Sequence, residues 1–391
     1  MTSHCRTILR HLENASPLVL TTMMDSHGSA PRSAGARMLV REDGSIEGTV
    51  GGGRYEARCI TVALELHKLG RALAAKSGLS QAMPGAVLDF SLSGVSDMDM
   101  VCGGSLSLLL EYLPASSATR AVYAAACRAE EAGQAFAFIS RFSPDSESDV
   151  FARANFGACQ ASGELRRCRV ERCVFLPQSL MLVPPGQELP EEILEQARSL
   201  RGLQPRRLLF QETEYLLEPF PRASRLLIFG GGHVGREVAK LASEVDFQVT
   251  VIDDRPEFAA LERFPGADAQ LLPSLAQRDS AGLLSRLDPG PLDAVLIVTR
   301  GHAHDRDVLA AALPGRAGYI GMIGSKSKRE AVYEQLQSQG FDAGAFAAVH
   351  SPVGLDIGAQ TPVEIAVSIV AELIAWRKAR RDAPPHQDAP R

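Results

Sequence analysis

Two glycine runs and a cysteine flanked by glycines are the residues of this chain best placed to do chemistry. Gly51-Gly52-Gly53 precedes a stretch of helical spacing, and Cys102 is followed by Gly103 and Gly104. Gly230-x-Gly232-x-x-Gly235 joins the apolar run RLLIF (225–229) to the helical stretch REVAKLASEV. A glycine run ahead of a helix lets backbone N–H groups crowd round an oxyanion or a flat heterocycle, because no Cβ holds the ligand away. The Gly230–Gly235 run points to a narrower chemistry. It follows a predicted strand and opens a predicted helix, and Asp253 closes the next strand at about the ~20-residue spacing of a ribose-binding acid. A diphosphate at that helix N-terminus meets both free donors and a favourable dipole, and Asp253 or Asp254 then accepts from ribose hydroxyls. His233, inside the loop, suits ligand contact or turn capping better than base catalysis. The plainer alternative is that these glycines serve only the tight turn and the packing of its helix.

Two later loops leave the carboxyl ends of predicted strands, where open α/β sheets bind ligands. Thr299-Arg300-Gly301-His302-Ala303-His304-Asp305 is the first, with Arg300 and His302 as candidate contacts. Gly324-Ser325-Lys326-Ser327-Lys328-Arg329 is the second, where small residues and three cations at a helix start make a phosphate cradle or simply a solvated basic end. His302, His304 and Asp305 lack the helical spacing of a zinc pair, so hydrogen bonding suits them better. Cys102 presents a thiol that, as thiolate, is a soft metal ligand or sulfur acceptor, although a lone cysteine is more often a small buried hydrophobe. No Ser-His-Asp order, Walker A loop or HExxH run is visible, and no residue is assigned a catalytic role.

The elements that must position these groups divide into two styles. From 17 to 53, apolar strands are broken at His27–Pro31, at Glu42-Asp43-Gly44-Ser45, a hairpin signal, and at the glycine run. Helical spacing follows over Tyr55–Leu73, then strands at 86–92 and 106–113 with the Cys102–Gly104 loop between them, a helix over Thr119–Ala132, and short strands including FAFIS, VFARA and RCRVERCVFL. Beyond 221 the pattern alternates strand and helix: RLLIF leads into a helical stretch, QVTVID follows as a second strand, and AVLIVT and GYIGMIG are each trailed by a helix-like segment, which implies a parallel sheet with helices on its faces. The fold class is therefore α/β: an N-terminal α+β domain over 1–220, with 115–220 as an optional sub-domain, and a C-terminal Rossmann-like domain over 221–380. Pro219-Phe220-Pro221 reads as the linker and 381–391 as a disordered tail. The last helix opens with a capping box, Thr361 as cap, Pro362 at its first position and Glu364 three residues on.

Composition sets the outer limits. The chain has 391 residues, with 45% apolar and 22% charged, ordinary globular usage that excludes a disordered or fibrous chain. A net charge of −5 argues against bulk binding to nucleic acid or an anionic membrane. Seven cysteines at irregular spacing form no disulfide or zinc framework. No run reaches the ~18 apolar residues of a membrane span and the start lacks a signal-peptide pattern, so the expected location is cytoplasmic, with reduced thiols.

Several motifs in order resemble one family. GSAPRSAGARMLVREDGSIEGTVGGG and VCGG are similar to the N-terminal module of the XdhC/CoxI family. LLIFGGGHVG, VTVIDDRPEFA, RFPGAD, VTRGHAHD, YIGMIGSKSKR and SPVGLDIGAQTPVEIAVSIVAELIA resemble its Rossmann module. The match is dense over 17–56 and 225–376 and faint over 115–215. The resemblance implies an accessory protein of molybdenum hydroxylases such as xanthine dehydrogenase. It would bind the molybdenum cofactor (molybdopterin), shelter it during sulfuration, and insert it into the apoenzyme without turnover of its own. It carries the family's glycine loop onto Gly51–Gly53, its Cys-Gly-Gly onto Cys102–Gly104 and its nucleotide loop onto Gly230–Gly235. A dinucleotide form of the cofactor would suit this layout, with Cys102 the candidate metal contact. The implied partners are a molybdenum hydroxylase apoenzyme and a cysteine desulfurase, with a homo-oligomer left open. The competing reading is an NAD(P)-dependent oxidoreductase in which the same glycine loop holds the nicotinamide cofactor and a residue such as His302 serves as acid.

Overall fold

The computed structural model describes residues 4–28, 32–76, 82–91, 104–144, 163–179, 181–184, 188–200 and 202–382. The chain divides into two compact units, Met1–Arg222 and Ala223–Arg391.

In the first unit ten strands form one antiparallel sheet among the described residues. They are β1 (Leu18–Gly28), β2 (Arg37–Val40), β3 (Ile46–Gly48), β4 (Met83–Ser91), β5 (Gly104–Leu113), β6 (Phe136–Pro144), β7 (Gly163–Leu176), β8 (Met181–Val183), β9 (Arg206–Phe210) and β10 (Thr213–Phe220). Their order is β3-β2-β1-β5-β4-β7-β6-β10-β9, with β8 paired to β7. Arg37 on β2 bonds Glu218 on β10 at 2.8 Å, so the sheet curls until strands far apart in this order meet. Alternate residues of β1 go to opposite faces, as the period of a strand requires. Val19 and Met23 pack under α2 (Gly53–Lys76), while Leu18 and Leu20 pack under α1 (His4–Glu13) and α3 (Ser117–Glu131). A fourth helix, α4 (Glu191–Ser199), buries Ile193 and Ala197 against β6, β7 and β10.

The second unit is a doubly wound Rossmann domain. Six parallel strands, β11 (Arg225–Phe229), β12 (Gln248–Asp253), β13 (Asp268–Leu271), β14 (Ala294–Ile297), β15 (Tyr319–Met322) and β16 (Val349–His350), run in the order β13-β12-β11-β14-β15-β16. Their uninterrupted apolar sequences follow from burial on both faces. Leu226 and Ile228 of β11 meet α5 (His233–Glu244) and α9 (Pro362–Asp382). Leu227 and Phe229 meet α6 (Gln277–Leu287), α7 (His302–Ala312) and α8 (Lys326–Ser338) on the other face. The capping box of α9 forms as expected: the Thr361 N–H donates to Glu364 at 3.0 Å and the Glu364 N–H to Thr361 Oγ1 at 3.3 Å.

Several sequence expectations give way. Pro219 and Phe220 are no linker, because both lie in β10, where Phe220 pairs with Phe136. Gly104 is the first residue of β5, opposite Gly28, not part of a loop. Helix α1, whose Cys5, Ile8 and Leu12 are buried, occupies a stretch read only for targeting signals. The β9–β10 hairpin turns on Gln211 and Glu212, at φ of 47° and 64°. That geometry favours Asn-Gly, so a Gln-Glu pair carries no sequence signal. VFARA (150–154) and the tail beyond 382 lie outside the described residues.

Candidate functional site

The four loops singled out in the second unit gather at the carboxyl ends of its strands. Helices α5 and α7 follow adjacent strands β11 and β14 but pack on opposite faces, so a crevice opens between them at the point where the strand order reverses. The loop after β11 is pinned from below. The Gly230 N–H donates to Ile252 O at 2.8 Å, and the Gly231 N–H to Asp253 Oδ2 at 2.8 Å.

Each glycine of the loop has a distinct reason to be glycine. Gly230, at φ +117°, would place a Cβ 2.3 Å from Val298 O; Gly231 would place one 2.0 Å from Phe258 O, and Gly235 one 1.9 Å from Gly230 O. All three are demanded by the chain's own backbone. Gly232 is not. Its φ of −67° suits any residue, and a Cβ there meets nothing within 4 Å. It is the N-cap of α5, yet among the described residues no side chain caps that helix, so its first-turn donors lack a side-chain acceptor. Gly301, the N-cap of α7, repeats the arrangement: extended backbone at φ −178°, no side-chain cap, and nothing within 4 Å of a Cβ. Two uncapped helix N-termini at one crevice suit an anion. His233 and His302 are the exposed first residues of these helices.

The acidic residues are not equivalent, and here the sequence expectation is corrected. Asp253 is 1% exposed and committed inside the protein. Besides the Gly231 N–H it accepts from the Arg255 N–H at 3.0 Å and from Arg255 Nε and Nη2 at 2.9 Å each. Burial alone would raise its pKa, but the bonds from Arg255 and Gly231 outweigh that and hold it below the usual carboxylate value. Asp253 positions the loop and leaves no oxygen for a ribose. Asp254 is less committed: Oδ2 takes Arg300 Nη2 at 3.1 Å, whereas Oδ1 is buried, 4.0 Å from Arg255 Nε, with no hydrogen-bond partner among the described residues.

Around α8 the three expected cations separate. Ser325 caps the helix by accepting from the Lys328 N–H at 3.3 Å. Lys328 turns inward to the buried Asp305, which also takes the Thr299 hydroxyl at 2.5 Å, and Arg329 Nη1 donates to Ser351 O at 3.0 Å. Lys326 is exposed, and Gly324 (φ +149°) leads into it. Asp305 therefore ties the β14 and β15 loops together instead of joining His302 and His304 in a metal set. Among the described residues no group of three or more His, Cys, Asp or Glu could hold a metal.

In the first unit Gly51, Gly52 and Gly53 all take positive φ, 126°, 78° and 65°, and make the cradle their run suggests. Its occupant is the chain's own Glu56. Glu56 Oε1 accepts from the Val50 N–H at 3.1 Å, the Gly52 N–H at 2.8 Å and the Thr49 hydroxyl. Burial pushes Glu56 up, yet the Thr49, Gly52, Val50 and Gly51 bonds prevail and keep its pKa low. Neither Glu56 nor Arg255 stands out in the sequence; a Glu at the first helical turn behind a glycine run is the available signal. Cys102 and Gly103 lie outside the described residues. Cys5, Cys59 and Cys173 are buried, and burial pushes their thiols up to about 12, which makes them core residues. No described helix is long and apolar enough to cross a membrane.

Comparison with known proteins joins the two units. Residues 226–373 match the model of the XdhC Rossmann domain, and residues 11–75 match that of the XdhC and CoxI family. The chain belongs to the XdhC/CoxI family. Its XdhC Rossmann match runs from β11 into α9 and takes in every crevice loop described above. The chain is 34% identical over 168 residues to a Bacillus subtilis protein described as a probable xanthine dehydrogenase subunit, covering 43% of this chain and 47% of that one. It is 34% identical over 126 residues to the Escherichia coli molybdenum cofactor insertion chaperone PaoD, covering 31% of this chain and 36% of that one. The chain thus spans less than half the length of these curated relatives. A solved structure described as a xanthine dehydrogenase from Bacillus halodurans superposes with a TM-score of 0.66 at 25% identity, over 97% of both chains.

Proposed function

We propose that this chain is a maturation factor for a molybdenum hydroxylase of the xanthine dehydrogenase type. In this reading it binds the molybdenum cofactor as cargo, shelters it while its sulfido ligand is installed by a cysteine desulfurase, and hands it to the apoenzyme. The observation that supports the reading is Gly232. Unlike its three neighbours it has no steric reason within the chain to be glycine, and it stands at an uncapped helix N-terminus over open space. A diphosphate is the group such a position suits, since a missing Cβ lets it reach the backbone N–H donors. A dinucleotide form of the cofactor supplies that diphosphate. The first-turn N–H groups of α5 and α7 would hold it, with His233 and His302 alongside, Asp254 near the ribose, and Lys326 adding charge. Cys102, with Gly103, is proposed as the soft contact to molybdenum. The Gly52 amide serves Glu56 and the Gly51 amide Thr49 Oγ1, so in this reading the run chiefly shapes its own loop.

Anaerobic purification tests the reading. Molybdenum by metal analysis, with a fluorescent pterin after oxidation, is expected in the wild-type protein and absent from a folded Gly232→Val variant. Deleting the gene should leave hydroxylase polypeptide at normal levels but without active cofactor. Bound nicotinamide with substrate-dependent turnover, or full hydroxylase activity in the deletion strain, would overturn it.

A further inference from the structure

One ion pair spans the crevice of the second unit from side to side. Asp254 follows β12 and Arg300 follows β14, and in the sheet order β11 lies between those two strands. Arg300 Nη2 donates to Asp254 Oδ2 at 3.1 Å, so the pair bridges the loops on either side of the Gly230–Gly235 loop. Neighbouring strands stand ~4.8 Å apart, and the bridge therefore covers about 10 Å at the strand ends where α5 and α7 begin.

The two partners are held very differently. The Asp254 side chain is 11% exposed and that of Arg300 47%. The backbone beneath Arg300 is fixed, because the Thr299 N–H and hydroxyl both donate to the buried Asp305, at 3.2 and 2.5 Å. Among the described residues the Arg300 guanidinium has no hydrogen bond but the one to Asp254. It is a long side chain on a rigid base, half in water and free to turn about its own bonds. Asp254 stays behind. Its Oδ1 is buried 4.0 Å from Arg255 Nε, so the carboxylate keeps a cation nearby when Arg300 leaves. Oδ2 is then the oxygen that can face a ligand, and it is occupied for as long as the bridge stands.

We propose that Arg300 is an exchangeable strap that makes the crevice selective for nucleoside diphosphates over bare phosphate anions. The inference rests on the reading of this crevice as a diphosphate site. In the exchange Arg300 swings from the Asp254 carboxylate to a phosphate oxygen, and Oδ2 is released to accept from a ribose hydroxyl. A half-exposed ion pair is a weak competitor, whereas a guanidinium and a phosphate make a charge-assisted, often bidentate contact. A bare anion gains that contact alone, with the uncovered Asp254 repelling it from the side. A ligand that carries a ribose beside its diphosphate turns the same carboxylate into an acceptor. Phosphate and ribose recognition are thus coupled through one pair of side chains.

Calorimetry on the full chain with ADP and with inorganic pyrophosphate tests the exchange, because Asp254→Ala should move the two ligands in opposite directions. Pyrophosphate should bind roughly two- to fivefold more tightly, since the strap is free and the repelling charge gone. ADP should bind at least about threefold more weakly, because the lost acceptor for its hydroxyl outweighs that gain. Arg300→Gln should weaken both ligands at least about tenfold. Asp254→Asn, which keeps the side-chain volume, repeats the pyrophosphate measurement should Asp254→Ala lower the melting temperature. A pair that only ties the two loops together predicts the same direction for both ligands in Asp254→Ala. That result, or unchanged binding in Arg300→Gln, would overturn the exchange while leaving the diphosphate site standing. A wild-type protein that binds neither ligand would overturn the diphosphate reading and the exchange with it.

Discussion

Substituting the four glycines of the β11–α5 loop one at a time should separate those the fold needs from the one a ligand needs. In Gly235→Ala the new methyl lies 1.9 Å from Gly230 O, and in Gly231→Ala 2.0 Å from Phe258 O. Both obstacles are backbone atoms that cannot swing aside, so each loop must move by more than an ångström. The overpacking cost should be at least ~1–3 kcal/mol. Gly232→Ala meets nothing within 4 Å at a φ of −67°. The entropy removed from the unfolded chain favours it by ~0.4–1 kcal/mol. Alanine is a poorer N-cap than glycine, which offsets part of that gain, and the net change should stay within about 1 kcal/mol. Binding should show the opposite order. A Val at 232 would hold an anion off the first-turn donors, and each lost bond to a charged group is worth ~1.5–3 kcal/mol, roughly ten- to 150-fold in affinity. The chain has a single tryptophan, Trp376, whose Nε1 donates to Gly318 O at 3.1 Å within the second unit. Its fluorescence during urea unfolding therefore reports on that unit alone, and calorimetry with ADP, CDP and GDP reports on binding. Native-like affinity in a folded Gly232→Val variant would refute the ligand argument. Native-like stability in Gly235→Ala would refute the packing argument.

Three further outcomes follow from charges held inside or partly inside the fold. Glu56→Ala removes the acceptor of the Val50 and Gly52 N–H groups and should cost ~1.5–3 kcal/mol in a denaturant titration, with Glu56→Gln recovering part of the loss. Arg172→Met strands Glu111 and Glu218 in the interior and should cost about 3–5 kcal/mol, with partial rescue when Glu111→Gln is added; a loss below ~1 kcal/mol would mean the carboxylates find other partners. Asp253 has its folded pKa held below an unfolded value of ~3.9, so its contribution is present above that value and fades as pH falls through the folded pKa. Asp253→Asn should accordingly flatten the loss of stability below about pH 4, read from Trp376 fluorescence; an unchanged acid slope would show that the Arg255 pair does not hold the loop.

The parallel domain and the loops at the carboxyl ends of its strands were legible in the sequence because they rest on local rules. RLLIF and QVTVID are apolar throughout since both faces of a parallel strand are covered, and the glycine spacing and the Thr361–Glu364 box are fixed within a few residues of chain. The chain order of the motifs likewise indicated the family. The hairpin on Gln211 and Glu212 was not legible, because neighbouring strands impose a left-handed turn on residues that do not advertise one.

What each polar group does was decided only by the tertiary structure. Asp253 stood where a ribose acceptor stands in sequence, but Arg255 folds back on it and the Gly231 amide reaches it across the loop. Gly51–Gly53 carried the pattern of an anion cradle, and the fold filled it with Glu56 from the next helix. Glu218 and Arg37 are 181 positions apart in the chain, and nothing in either neighbourhood foretells their pairing. Periodicity and glycine spacing act over a few residues and can be read in one dimension. A buried charge is settled by whichever donors the folded chain brings to it, and the desolvation cost of leaving it unpaired makes that pairing a property of the whole unit.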